Sequence, residues 1–335
     1  MKKIMILIPV MVAVFSFTIL NRDDELVSRE EMKTAINKSI ALLQPSDRLF
    51  LENAGTCHSC HHQDLTAISV AMAKENGYTV NDTIATSSLQ AIVATVKSRK
   101  STNAQNNDPV AIVMSGVYSL WALEQNKYPA NKSMELMVKN IMQRQTANGS
   151  WVSPNPRPPI EYYAFSATAL AINAINAYAP QSMKEQVARR IKAARDWMMK
   201  EVPETNEEKI FQLLGIFWSG GQAEFLKQQA KKLLSTQQAD GGWSQLETLP
   251  TDAYATGQSL YALLYTGLLD EKSEAYQKAV RFLLKNQYPD GSWRIKSRSF
   301  PAVPFVETGF PLGGDQFISA AGSNWATMAL LLAAR

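Results

Sequence analysis

The sequence predicts an all-α protein built from repeated helix pairs, and two observations lead to this fold class. One seven-residue pattern, Gln-x-x-Asn/Asp-Gly-x-Trp, occurs three times, at Gln145–Trp151, Gln237–Trp243 and Gln287–Trp293. Apolar residues around these copies recur at helical spacing, whereas strand-like alternation is nearly absent. Self-similarity of this kind is typical of stacked helical units that share one core.

The spacing of the tryptophans sets the length of the repeat. Trp243 and Trp293 are 50 residues apart, whereas Trp151 and Trp243 are 92 apart. The longer interval therefore holds two repeats, and we expect the hidden one around Trp197.

Each copy of the pattern follows an amphipathic helix and precedes a more uniformly apolar helix, which indicates an outer and an inner layer. The predicted outer helices are Ser133–Met142, Ala223–Ser235 and Ser273–Leu284. The predicted inner helices are Val110–Glu124, Ala164–Tyr178, Glu208–Trp218, Ala253–Tyr265 and Phe317–Leu332. In the turn between the layers, Asn/Asp-Gly reverses the chain, Trp fills the gap and Gln binds helix ends.

The pattern resembles the QW repeat of squalene-hopene cyclases and of protein prenyltransferase β subunits, over about Glu30 to Ala334. The resemblance implies an α/α toroid, in which inner and outer helices close into a barrel around a central cavity. It also implies an apolar or isoprenoid-like ligand in that cavity. The cyclase acid motif Asp-x-Asp-Asp is missing, and the matching helix offers only Asp252, which we expect at a helix N-terminus. We assign no catalytic residue.

The N-terminus predicts export. Lys2 and Lys3 precede an apolar run from Ile4 to Leu20, which is the layout of a secretory signal. Residues 1–20 are therefore predicted to be a signal peptide or a short N-terminal membrane anchor, and residues 25–335 a single toroid domain. We expect the protein in the periplasm or anchored to the membrane facing it.

The charge balance does not favour nucleic acid as a partner. The 34 Lys and Arg residues against 30 Asp and Glu give a net charge of +4, and no block of five like charges occurs.

All 2 cysteines and all 3 histidines of the chain lie within Cys57–His62. Cys-x-x-Cys-His is the attachment signature of c-type haem, in which two thiols bond the vinyl groups and the imidazole ligates iron. We therefore predict thioethers at Cys57 and Cys60, iron ligation by His61, and a redox or electron-transfer role with an unknown partner. The sixth-ligand candidates are Met72, Met114 and Met328.

Three alternatives stay open for this cluster. One is a zinc or iron site similar to that of prenyltransferase β subunits, possible in a metal-dependent or cyclase-like toroid enzyme. Its ligands would be Cys57, Cys60, His61 and His62 with Asp252 or Glu161. Another is a structural disulfide in a non-catalytic binding scaffold, and the third is a thiol redox centre.

The spacing of the repeat predicts where the cluster lies relative to the helices. Gln44 and His62 are 18 residues apart, as are Gln145 and Tyr163, which begins an inner helix. The cluster should therefore open the first inner helix, at the barrel end where we also expect three acidic residues. These are Glu161, Asp252 and Asp315.

The last long connection, Arg294 to Gln316, is rich in Pro, Gly and Phe and is predicted to cover one end of the barrel. Arg294, Lys296 and Arg298 could pair with an acidic group of a ligand, or be solvated. Large side chains should line or fill the barrel itself. They are Met114, Trp121, Tyr162, Phe165, Trp218, Tyr254, Tyr261 and Trp325.

Overall fold

The computed structural model describes residues 26–54, 59–107, 112–153, 157–299 and 305–335. The described helices are, in chain order, α1 (Arg29–Asn53), α2 (Leu65–Glu75), α3 (Asp82–Ser98), α4 (Lys100–Ala104), α5 (Val117–Gln125), α6 (Lys132–Gln143), α7 (Ala164–Tyr178), α8 (Lys184–Lys200), α9 (Asn206–Trp218), α10 (Ala223–Leu234), α11 (Ala253–Tyr265), α12 (Glu274–Lys285) and α13 (Gln316–Ala333). The π-helical turns Cys60–Asp64 and Ile112–Gly116 lead into α2 and α5.

The helices form two layers, because successive helices differ in how much of their surface is apolar. Helices α2, α5, α7, α9, α11 and α13 are buried nearly all round and form the inner layer. Helices such as α6, α10 and α12 bury one stripe and expose charged residues on the other side, as an outer layer requires. Within the described residues this gives six outer–inner pairs, and the all-α toroid prediction is confirmed.

The ring closes between the last pair and the first. Helix α13 packs against α11 on one side and against α1 and α2 on the other. The side-chain amide of Gln287, which follows α12, donates to the Ala35 carbonyl of α1 at 2.9 Å. Thr327 on α13 donates to Ser39 on α1 at 2.7 Å. The chain is therefore a closed barrel of helix pairs.

The repeated tryptophans join the two layers. Trp151, Trp243 and Trp293 are buried, and each indole N–H donates to a backbone carbonyl at the end of the preceding outer helix, at 2.6–2.9 Å. The three acceptors are the carbonyls of Ile141, Leu233 and Leu283. The backbone N–H of each tryptophan donates to a hydroxyl of the following inner helix at 2.9–3.0 Å. The indole adds a donor to these helix-end carbonyls, of which those of Ile141 and Leu233 also accept from a backbone N–H, and the ring fills the gap between layers.

The repeated glutamines join neighbouring pairs. Gln145, Gln237 and Gln287 each donate to the glycine carbonyl of their own turn and to a carbonyl of the next outer helix. The predicted role of Trp in the turn is thus confirmed, whereas Gln, predicted to bind helix ends, binds carbonyls within the next outer helix. Trp243 also starts a two-residue antiparallel strand, β1 (Trp243–Ser244), paired with β2 (Thr251–Asp252).

The hidden repeat is the α8–α9 pair, as the interval between the tryptophans predicts. It lacks the Gln-x-x-Asn/Asp-Gly-x-Trp turn. Trp197 on α8 is half-buried and packs on Phe165 with ring centroids 4.8 Å apart. This ring contact joins α8 to α7. Within the α8–α9 pair, Gln212 of α9 donates to the Met198 and Glu201 carbonyls at the end of α8, at 2.6 and 3.1 Å.

Aromatic side chains fill the middle of the barrel. The ring centroids of Trp121, Tyr261 and Trp325 lie 5.4–6.3 Å apart, and all three residues are buried. The prediction for Tyr162 is wrong, because this residue precedes the start of α7 and its side chain is 51% exposed. The expected apolar ligand stays a prediction.

No helix among the described residues is long and apolar enough to cross a membrane. The predicted signal or anchor, residues 1–20, lies outside them.

Candidate functional site

The described part of the cysteine and histidine cluster is a π-helical turn, Cys60–Asp64, that runs directly into α2. Cys57 and His58 lie outside the described residues. Ser59 begins the turn, because its hydroxyl accepts from the His62 backbone N–H at 3.1 Å and its own N–H donates to Gln63 at 2.7 Å. The chain therefore enters the first inner helix through a capped turn.

Helix α13, the last helix of the ring, holds this turn in place by hydrogen bonds. The Asn324 amide donates to the His61 carbonyl at 3.3 Å and to Thr66 at 3.0 Å. Its oxygen accepts from Ser69 at 2.7 Å. Since Asn324, Thr66 and Ser69 are buried, the amide fixes the position of the turn relative to α13.

The His61 ring is oriented through its Nδ1 atom. Nδ1 lies 2.8 Å from Ser59 Oγ and 2.6 Å from His62 Nδ1. Because Nδ1 is engaged, any bond from the ring to a metal would use Nε2. A hydrogen bond at one ring nitrogen is the usual way in which proteins orient a ligating histidine.

The His62 ring lies among aromatic side chains. It stacks on Phe50 with ring centroids 5.3 Å apart and meets Phe310 and Phe317 edge-on at 6.0 and 5.8 Å. Burial lowers the pKa of His62 to about 3, so its imidazole is neutral. Its Nε2 atom is buried and has no hydrogen-bond partner among the described residues.

Cys60 faces two carboxylates. Its buried thiol has no disulfide partner among the described residues, and its Sγ lies 3.7 Å from Glu161 Oε1. Burial, and then the negative charges of Glu161 and Asp64, raise the pKa of Cys60 well above its ordinary value. Reactive thiolates occur in electropositive surroundings, so this environment favours a neutral sulfur.

Glu161 lies in the segment that precedes α7, and its side chain contacts the cluster. An isolated antiparallel bridge joins Arg157 and Glu161 through their backbones, and their side chains form an ion pair. Glu161, one of the two carboxylates predicted as alternative metal ligands, thus lies beside Cys60.

Asp252, the other predicted carboxylate, caps α11. Its Oδ1 atom accepts from the Ala255 backbone N–H at 2.8 Å, and Oδ2 accepts from Gln245 at 2.7 Å. Burial raises the pKa of Asp252 to about 6. The capping role predicted for Asp252 is confirmed. Asp315 lies at the start of α13 and pairs with Arg294 at 3.1 Å.

Sequence reasoning missed Glu207, a fully buried carboxyl at the start of α9. Its Oε1 atom accepts from Tyr254 at 3.3 Å, and burial raises the pKa of Glu207 to about 8. Its neighbour Glu208 forms a capping box with Thr205. A Thr-x-Glu-Glu sequence before an apolar run predicts the cap, but it does not tell which glutamate faces inward.

The long connection after α12 crosses this end of the barrel, although its residues 300–304 lie outside the described residues. Arg298 donates to Gln245 at 2.9 Å, and Ser299 donates to the Pro158 carbonyl at 2.6 Å. Phe310 is buried beside the His62 ring. In the described part of the chain, no group of three or more His, Cys, Asp and Glu side chains is arranged to hold a metal ion.

The chain resembles solved structures of helical barrels. A type II terpene cyclase from Scytonema, in complex with geranylgeranyl dihydroxybenzoate, shares 14% identity over 91% of this chain and 98% of its own, with a TM-score of 0.55. An unsaturated glucuronyl hydrolase from a Bacillus species shares 14% identity over 90% and 96%, with a TM-score of 0.57. A protein from Actinoplanes shares 12% over 89% and 100%, with a TM-score of 0.56.

These similarities define the class of the protein by its fold, which is the α/α toroid. No family model and no curated protein matches the chain. By their names, the cyclase and the hydrolase perform unrelated reactions, so the toroid does not by itself select an activity.

Proposed function

We propose that this toroid protein carries one covalent haem and has a redox or electron-transfer role. Cys57 and Cys60 form the thioethers, and His61 ligates the iron through Nε2. When bound, haem supplies one-electron chemistry. The proposal includes export, since the N-terminal apolar run precedes the toroid domain.

The observation that carries the proposal is the orientation of His61. Its Nδ1 atom is held by Ser59 Oγ at 2.8 Å and by His62 Nδ1 at 2.6 Å. Both contacts act on the nitrogen that does not ligate, and they belong to residues of the same turn. Ser59 and His62 therefore serve to orient the ligand.

The surroundings of Cys60 favour an uncharged sulfur, which a thioether provides as a thiol does. A thioether sulfur is neutral, whereas a thiolate would face Glu161 and Asp64 in a buried site. The rings of Phe50 and Phe317 pack against His61 at centroid distances of 5.8 and 4.9 Å. Apolar surroundings of this kind suit a large aromatic macrocycle.

The test is a haem stain on a denaturing gel, with an absorption spectrum, after export in a host equipped for c-type maturation. We expect a covalent signal from the wild type and none from the Cys57→Ala, Cys60→Ala double variant. Asp252→Asn is the matched control and should retain the signal, because Asp252 caps α11. Covalent haem in the double variant, or none in the wild type, would contradict the proposal.

One observation favours a second candidate, a metal-dependent toroid enzyme. The contact of 3.7 Å between Cys60 and Glu161 brings a thiol and a carboxylate together, as a mixed zinc or iron site needs. His61 and His62 would complete the set with Cys57. The substrate would then be an isoprenoid or a saccharide, as in the proteins of the same fold.

Metal analysis of the purified protein separates the two candidates. A stoichiometric zinc or non-haem iron content that Glu161→Gln abolishes and Asp252→Asn preserves would favour the metal site. The haem proposal predicts iron that stays with the polypeptide as covalent haem and is retained by both variants.

A further inference from the structure

The sulfur of Cys60 lies beside an ion pair, and the two oxygens of the Glu161 carboxylate have different partners there. Oε2 pairs with the Arg157 guanidinium group, whereas Oε1 lies 3.7 Å from Cys60 Sγ. The negative charge of the pair is therefore in direct contact with the sulfur.

The backbone holds this ion pair in place. Arg157 and Glu161 exchange two backbone hydrogen bonds, at 3.0 and 3.4 Å, and the Ser153 hydroxyl donates to the Glu161 carbonyl at 3.0 Å. The Glu161 side chain is 12% exposed and that of Arg157 is 39% exposed. Because water and salt screen a buried charge only weakly, the fixed carboxylate acts more strongly on its surroundings than a surface charge does.

A second carboxylate adds to the negative charge near Cys60. Asp64, the last residue of the π-helical turn, is fully buried and accepts from Ser119 at 3.3 Å. Burial raises the pKa of Cys60 most, Glu161 and Asp64 raise it further, and Arg157 lowers it by less than either carboxylate raises it. The combined field of these three charges at the sulfur is therefore negative.

In the proposed haem protein, this field would act on the macrocycle as well as on the sulfur. A thioether bonds Cys60 Sγ directly to a carbon substituent of the haem ring, so the edge of the ring begins beside the Glu161 carboxylate. One-electron reduction adds one negative charge to the haem and changes no covalent bond. A negative field makes this addition less favourable and so lowers the reduction potential.

We propose that Glu161 lowers the reduction potential of the haem and that Arg157 limits this effect. The inference rests on the proposed covalent haem. The two thioethers and His61 hold the haem, whereas the Arg157–Glu161 ion pair sets how readily it accepts an electron.

The test is a redox titration of the exported full chain with dithionite and mediator dyes, followed by the absorption of the haem. Glu161→Gln should raise the reduction potential by about 59 mV, the shift that corresponds to a tenfold change in the ratio of reduced to oxidised protein. Arg157→Gln should lower the potential, because the carboxylate then acts on the haem without its counter-charge.

The opposite signs of the two shifts separate an effect of charge from a structural effect. Loosening of this end of the barrel would admit water to the haem in either variant and would move both potentials in the same direction. Asp196→Asn is the matched control, because it removes one negative charge from an exposed ion pair, with Lys192, that has the same spacing along the chain. It should leave the potential unchanged.

A haem stain of the wild type and of each variant precedes the titration, so that the two proposals can fail separately. A wild type without covalent haem would overturn the proposed function and this inference with it. Covalent haem with equal potentials in the wild type and Glu161→Gln would overturn this inference and leave the proposed function standing. Shifts of the same sign in Glu161→Gln and Arg157→Gln would do the same.

Discussion

At the scale of single residues, the two adjacent histidines of the cluster have different surroundings. His62 is buried and stacked on Phe50, and burial holds its pKa near 3. His61 is only half-buried, and its ring contacts Phe317 and the Ser59 hydroxyl. Under the haem proposal, His61 is the ligand that the Cys-x-x-Cys-His motif predicts, and His62 orients it, a role that the sequence does not predict.

Another residue-scale requirement is the glycine of the repeated turn. Gly241 has a φ of +89°, and a Cβ atom there would lie 2.5 Å from the Lys278 carbonyl oxygen. We expect Gly241→Ala to lower the free energy of unfolding by several kcal/mol, because strain and overlap add.

The control for this variant is Gly220→Ala. Gly220 also has a positive φ, +68°, but a Cβ atom there would meet nothing within 4 Å. It should lower the free energy of unfolding by only about 1 kcal/mol. Chemical denaturation measures the free energy of unfolding of both variants. Equal losses would show that the contact with the Lys278 carbonyl oxygen does not matter.

At the scale of elements, each Gln-x-x-Asn/Asp-Gly-x-Trp turn is a joint between an outer and an inner helix. Trp243→Phe removes the indole donor and leaves the buried Leu233 carbonyl without it. We expect a loss of about 3 kcal/mol in the free energy of unfolding, from the hydrogen bond and from the unfilled volume.

Trp197→Phe is the matched substitution for Trp243→Phe. Trp197 is half-buried and packs on Phe165, with no indole hydrogen bond in the described part of the chain. Trp197→Phe should lower the free energy of unfolding by about 1 kcal/mol. Denaturation curves measure the loss of free energy of unfolding in both variants. A larger loss for Trp197→Phe than for Trp243→Phe would show that the indole N–H of Trp243 is not what joins the outer and inner helices.

At the scale of the whole molecule, two buried carboxyl groups should make stability depend on pH. Burial raises the pKa of Asp47 and of Glu207 to about 8, from 3.8 and 4.5. The folded state therefore binds more protons than the unfolded state over this interval. The stability from these groups is fully present below pH 4 and is lost as the pH rises through 8.

We expect Asp47→Asn to flatten this dependence. Relative to the variant, the wild type should lose free energy of unfolding steadily between pH 5 and pH 8 and show no further loss above that, as measured by denaturation at each pH. The control is Asp196→Asn, since Asp196 is exposed and pairs with Lys192. If the wild type and Asp47→Asn differ in free energy of unfolding by the same amount at every pH, that result would contradict the burial of an uncharged Asp47.

The sequence predicts the elements of this molecule better than its contacts. The boundaries predicted for Ala164–Tyr178 and Ala253–Tyr265 agree with α7 and α11, because both helices are apolar all round and start after clear turn signals. The site was harder to predict. Glu207 looks like part of a helix cap, and only the packing of α9 against α11 turns it inward towards Tyr254.

Closure of the ring also bears on how the chain folds. The hydrogen bonds across the seam join residues 250 or more positions apart, such as Val27 with Gln277 and Ser39 with Thr327. In an open solenoid, folding can spread from any repeat to its neighbour. In this closed ring, the first and last helix pairs can pack together only after the two ends of the chain have met. Bringing them together has a large entropic cost. We therefore expect the barrel to be completed late and to unfold as one cooperative unit.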